Sequence, residues 1–152
     1  ENKLASLDSA NCEYLIQRYR RPNPRTKLGP NLIDIAHAGI DISDGLVADL
    51  SHICEISEVG ADIQIADIPL SPAAVEELEK NPVLLDLILG GGDDYELLFT
   101  TDPNFAGIFE EVADKSEVAL TKIGEITLAK TIRLFDQKGH EYMPHQKGFT
   151  HF

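Results

Sequence analysis

AHAGIDISDGLVADLSHICEIS, residues 36–57, changes character in its middle. Up to Ile42 it reads as an apolar strand. From Leu46 onward, Leu46, Leu50, Ile53, Cys54 and Ser57 recur at i, i+4, i+7, i+8 and i+11, one face of a helix. Asp49, His52 and Glu55 are expected mainly on the opposite, solvated face. Beyond the helix, EVGADIQIADIPLS gives a turn and a short strand with alternating Ile63 and Ile65. Strand, helix and strand in that order point to an α/β sandwich with at least one crossover connection.

Outward from this unit, further elements follow from local chemistry. LDSANCEYLIQRYR, residues 7–20, suits a helix with Ser6 or Asp8 as its cap and arginines in its last turn. The basic RPNPRTKLGPN, residues 21–31, is expected to be an irregular connector because prolines and glycine interrupt it. Ser71 before Pro72 predicts a helix start over PAAVEELEK, and PVLLDLIL predicts a second apolar helix. YELLFT reads as a buried strand, and PNFAGIFEEVADKS as an amphipathic helix with Phe105, Ile108, Phe109 and Val112 on one side. VALTKIGEI and TIRLFD read as strands, with a hairpin opening at Lys138–Gly139.

The 152 residues, 43% hydrophobic and 26% charged, are those of one folded domain with a sizeable core. A formal net charge of −13 disfavours nucleic acid and anionic membrane as partners. No apolar run approaches a membrane span and nothing at the start reads as a signal peptide. Cys12 and Cys54 have neither metal-ligand spacing nor a disulfide framework, which fits reduced thiols in the cytoplasm. The first residue is Glu1 rather than methionine, so a fragment or a processed product is expected.

Two acidic turns carry what chemistry the sequence offers. In Asp41-Ile42-Ser43-Asp44-Gly45, strand alternation turns Asp41 outward, Ser43 or Asp44 can cap the helix, and Gly45 allows close backbone approach. Free N–H groups at a helix start suit a phosphate, and two carboxylates this close suit Mg²⁺. Capping with a surface aspartate explains the same residues more simply. In Gly90-Gly91-Gly92-Asp93-Asp94-Tyr95-Glu96, three glycines precede two carboxylates, but the lysine of a P-loop is missing. A glycine cap followed by solvated aspartates is again the simpler account. No nucleophile elbow and no zinc spacing among the five histidines is present, so no catalytic nucleophile is assigned.

Taken together, AGIDISDGLVADLSHICEISEVGADIQI, IPLSP, GGGDDYELLFT, TKIGEI and the terminal GFTHF resemble the C-terminal half of bacterial thiamine-monophosphate kinases. Aminoimidazole ribonucleotide synthetase and selenophosphate synthetase share that architecture but not the combination of GGGDDYELLFT with GFTHF. The resemblance implies an α/β (α+β) fold, a mixed β-sheet flanked by helices and partly ferredoxin-like. It divides the chain into a helix and Pro-rich connector, residues 1–31, and a C-terminal α/β domain, residues 32–152, with an N-terminal ATP-binding domain absent. It implies in-line transfer from ATP to thiamine monophosphate with Mg²⁺, in a cytoplasmic homodimer when full-length, the fragment alone being inactive. Asp41 and Asp44 carry over as Mg²⁺ ligands, Ser43 as an ATP contact, and Asp93 and Phe149 as substrate contacts. Asp93 stands where the family often has glutamate, and Phe149 where it often has tryptophan. Arg20, Arg21 and Arg25 are left between phosphate contact and linker solvation. A free-standing binding or interaction module of the same fold is the competing expectation.

Overall fold

The computed structural model describes residues 9–144. Six α-helices and six strands follow in the order α1 (Ser9–Arg20), α2 (Leu28–Asn31), β1 (Ala36–Asp41), α3 (Leu46–Ser57), β2 (Gly60–Gln64), α4 (Pro72–Lys80), α5 (Leu84–Gly90), β3 (Leu97–Thr101), α6 (Phe109–Ser116), β4 (Gly124–Thr127), β5 (Ile132–Phe135) and β6 (Glu141–Tyr142). β1 and β3 form an antiparallel ribbon. The mixed sheet expected from the sequence is a separate, four-stranded one in the order β4-β2-β5-β6. Within it β2 and β5 run parallel, and the other two pairings are antiparallel.

Helix α3 is the element that joins the two sheets. Its Leu46, Leu50, Ile53 and Cys54 are buried with Ala61 and Ile63 of β2, Leu134 of β5, Leu89 of α5 and Leu98 of β3. Four of the five residues predicted for the inner face are there, and Ser57 at the helix end is exposed. Each leucine fully withdrawn from water contributes about 1.5–3 kcal/mol, so this cluster fixes the ribbon against the four-stranded sheet. Ile65 leaves the strand and opens a 3₁₀ turn, Ile65–Asp67, so the alternation ends at Ile63. Ser71 caps α4 as its sequence predicts, its hydroxyl accepting from the Ala74 N–H at 3.2 Å.

The proline-rich connector is more ordered than its composition suggests. Leu28–Asn31 makes one helical turn, and Leu28 and Leu32 are buried against Val112 of α6. Pro30 is compatible with so short a helix because a first-turn N–H has no intrahelical acceptor to lose. The expected helix over residues 103–116 is split into a 3₁₀ stretch, Pro103–Ile108, and α6. The β5–β6 hairpin forms where predicted, with Gly139 at φ 78°, a conformation that favours glycine. Among the described residues no helix is long and apolar enough to cross a membrane.

Candidate active site

The ribbon places the two acidic turns side by side. Asp41 at the end of β1 lies opposite Leu97 at the start of β3. Past that pair the chains stay laced. Ile42 N–H donates to the Glu96 carbonyl, Tyr95 N–H to the Ile42 carbonyl, and Asp93 N–H to the Ser43 carbonyl, each at 2.9 Å. A side chain at Gly92 would put its Cβ 2.2 Å from the Ser43 carbonyl oxygen, so the close approach requires glycine there. Gly45, at φ 112°, likewise has no room for a Cβ, which would lie 2.8 Å from the Gly90 carbonyl. The backbone freedom read at Gly45 therefore serves contact between the turns. Asp93 and Tyr95 hold φ of 68° and 54°, a costly backbone for non-glycine residues on either side of Asp94.

Asp49 is a correction to the sequence reading. Expected on the solvated face of α3, it is 2% exposed. Its Oδ2 accepts the backbone N–H of Ser43 at 2.9 Å and of Asp44 at 3.0 Å. The cap position is Gly45 rather than Ser43 or Asp44, and Gly45 has no side-chain cap hydrogen bond. The physical reason is that a helical side chain leans toward the N-terminus, so a carboxylate in the first turn can reach the amides ahead of it. Asp49 thereby occupies two N–H groups of the turn that leads into the helix, ahead of the cap at Gly45.

Asp44, Asp49 and His52 each offer a ligand atom, and these atoms lie within 4.8 Å of one another. Two carboxylates fit a hard cation such as Mg²⁺, and the exposed imidazole broadens the set toward other divalent metals. Asp41 is exposed at the strand end and is not in that group. Ser43 and Asp44 are half-buried at the junction of the turns, and Asp93 is exposed on the second turn. Phe149 lies outside the described residues.

Arginines reach the site from the connector side. Arg25 is bidentate to Glu96, Nε at 2.7 Å and Nη2 at 2.5 Å, and Arg18 of α1 reaches the same carboxylate at 3.2 Å. Arg25 thus braces the second turn, whereas Arg20 and Arg21 are exposed. Asp94 is pushed up to about 6, first by desolvation, then by the charge of Glu96, with Arg18 opposing and Asp93 adding. A recess of about 160 Å³ opens between α1 and this turn, lined by Leu15, Arg18, Tyr19, Gly92, Asp93 and Asp94.

Residues 19–137 match the family described as AIR synthase related protein, C-terminal domain. The chain belongs to that family. Within the family's wider company, the thiamine-monophosphate kinase of Escherichia coli (strain K12) is 37% identical over 152 residues, which is 100% of this chain and 46% of that protein. The crystal structure of thiamine-monophosphate kinase from Stenotrophomonas maltophilia K279a matches with a TM-score of 0.77 at 37% identity, covering 86% of this chain and 43% of that one. AaThiL complexed with AMPPCP and TMP matches with a TM-score of 0.73 at 30% identity, covering 97% of this chain and 44% of that one. The chain spans about half the length of the curated relatives it matches. The mixed α and β architecture expected from the resemblance is the one observed.

The sequence reading missed the roles of Asp49, Glu96 and Arg18, and it named Arg25 without its partner Glu96. A signal existed for one of them: an acidic residue in the first turn of a helix that follows a polar turn. The Arg25–Glu96 pair spans 71 positions, and nothing local announces it.

Proposed function

We propose that this chain forms the C-terminal half of the site of a Mg²⁺-dependent thiamine-monophosphate kinase, which makes thiamine diphosphate and ADP from thiamine monophosphate and ATP. The observation that supports this is the lacing of the Ser43–Asp44 turn to the Gly92–Tyr95 turn, which sets Ser43, Asp44 and Asp93 side by side. Similarity to thiamine-monophosphate kinases along all of the chain, and to a structure holding AMPPCP and TMP, supports the substrate assignment.

On this reading Asp44 and Asp41 would hold Mg²⁺, which would supply charge neutralisation for the phosphates. Ser43 offers its hydroxyl to an ATP phosphate. Asp93, on the rim of the recess beside Tyr19, faces the thiamine moiety, and Phe149 packs on its ring. An oxygen of the thiamine monophosphate phosphate forms the new P–O bond as the bond to the leaving ADP breaks. This needs positioning and charge compensation rather than a protein nucleophile. The other half of the site comes from the portion of the relatives that this chain does not span, so the chain alone is inactive.

The test is an assay of the full-length product of the reading frame containing this chain, with ATP, Mg²⁺ and thiamine monophosphate. Equimolar thiamine diphosphate and ADP are expected. ATP turnover without thiamine diphosphate, or no turnover, contradicts the reading. Turnover by the 152-residue chain alone contradicts the claim that it is half a site.

A further inference from the structure

Asp49 is a charged residue 2% exposed to water, in the first turn of α3, and the reaction outlined above gives it no role. Its own N–H donates to the Gly45 carbonyl at 2.9 Å, which fixes its backbone as helix. From there its side chain turns back, and one oxygen, Oδ2, gathers the N–H groups of both Ser43 and Asp44. Those two residues precede the helix, where the chain has no repeating hydrogen bonds of its own. Their carbonyl side is held across the ribbon, since the Ser43 carbonyl accepts from Asp93. The peptide between Ser43 and Asp44 is therefore gripped on both edges, by Asp49 behind and by the second turn in front.

We propose that Asp49 is a positioning residue: its carboxylate sets the Ser43–Asp44 peptide so that the two side chains face the nucleotide and its cation. This deepens the kinase reading and rests on it for its catalytic consequence. The two half-buried N–H groups have Asp49 as their acceptor, and a turn deprived of it loses both bonds at once. The same contact explains the electrostatic character of the turn. With its leading amides given to a carboxylate, the turn does not offer those N–H groups to an anion. Phosphate charge then meets the turn through the cation and the Ser43 hydroxyl. Asp49 is distinguished from an ordinary buried contact by the pair it serves, because both amides belong to residues assigned to ligands.

The first experiment uses the 152-residue chain and needs no kinase activity: amide hydrogen exchange by NMR. The Ser43 and Asp44 amides exchange at least tenfold faster in Asp49→Ala than in the unsubstituted chain, while the Ile53 amide is unchanged. In Asp49→Asn the side-chain oxygen accepts the same two bonds, and the protection stays within threefold. Should Asp49→Ala fail to fold, Asp49→Asn decides alone. The second experiment reads full-length kinetics. Asp49→Ala raises the Mg²⁺ concentration for half-maximal rate at least tenfold and lowers kcat, leaving KM for thiamine monophosphate within twofold; Asp49→Asn restores most of both. Unchanged exchange in a folded Asp49→Ala, exchange in Asp49→Asn as fast as in Asp49→Ala, or an unaltered Mg²⁺ requirement overturns the proposal. If the unsubstituted full-length protein makes no thiamine diphosphate, the kinase reading fails while the exchange result still decides what Asp49 does.

Discussion

Asp49 and Asp136 use the same device at two places in the molecule, and the difference lies in what surrounds them. Each accepts two backbone N–H groups with a single carboxylate oxygen: Asp49 from Ser43 and Asp44, Asp136 from Lys138 at 2.8 Å and His140 at 2.9 Å. Asp136 sits in the β5–β6 hairpin with 41% of its side chain exposed, and water can replace either bond. Asp49 is sealed beneath a turn whose neighbours are themselves sealed against a second turn. One aspartate shapes a surface loop, and the other fixes the geometry of a site. A pair of hydrogen bonds gains its importance from the absence of an alternative acceptor.

The comparison can be broken at several points. The largest effect is expected at Asp44→Asn in the full-length protein, where the loss of a proposed metal ligand should exceed the roughly 10–100-fold typical of outer-shell partners. A Mg²⁺-dependent rate within twofold of the unsubstituted protein would remove Asp44 from the metal site. Next comes stability. Asp49→Ala leaves two half-buried N–H groups without their acceptor and should cost about 1–3 kcal/mol in urea unfolding. Asp136→Ala should cost clearly less, and equal losses would erase the distinction drawn between the two.

A smaller effect separates the two loops by pH. Asp94, raised from 3.8 to about 6, binds its proton more tightly in the folded state, so it lowers stability as pH climbs from about 4 through 6. Asp136 is held below the usual aspartate range, first by the His140 N–H, so its contribution is present above about pH 4 and lost as acid protonates it. Thermal melts across this range should show Asp94→Asn more stable than the unsubstituted chain at pH 7 and indistinguishable below pH 4. Asp136→Asn should flatten the acid limb instead. Opposite signs in either variant would refute the assigned causes. The smallest effect is at Glu96→Gln, which removes the charge that holds Arg25 and Arg18 and relieves one source of the upward push on Asp94. Its test is an NMR titration of Asp94 that shows a lower midpoint; an unmoved midpoint would remove Glu96 from the causes.

How much of this was legible in the sequence depends on how local the cause is. The α3 face at Leu46, Leu50, Ile53 and Cys54, the Ser71 cap and the Lys138–Gly139 hairpin follow from residues within one or two turns of each other. The two acidic turns were visible as unusual, but the lacing of Ser43 to Asp93 joins positions fifty apart, and only the ribbon pairing creates it. Asp49 was misread because helical periodicity sorts residues by angle. It does not register a side chain that folds back over the helix start. Leu28 and Leu32 were lost among prolines for a related reason: composition describes a segment's stiffness, and burial depends on what α6 places opposite. For Phe149 the sequence remains the source of the assignment, since that residue lies outside the described ones.

The central claim is that two turns distant in sequence make one edge, with the cation held at the first turn close beside the second. Adding Mn²⁺ to the 152-residue chain and following amide signals by NMR tests it most directly, since Mn²⁺ suits the oxygen ligands proposed for Mg²⁺. The account predicts that Ser43, Asp44, Asp93 and Asp94 broaden together, at the lowest metal concentrations and reversibly on addition of Mg²⁺. Broadening that begins at the surface carboxylates of α4 or α6, or that touches one turn and spares the other, would contradict it.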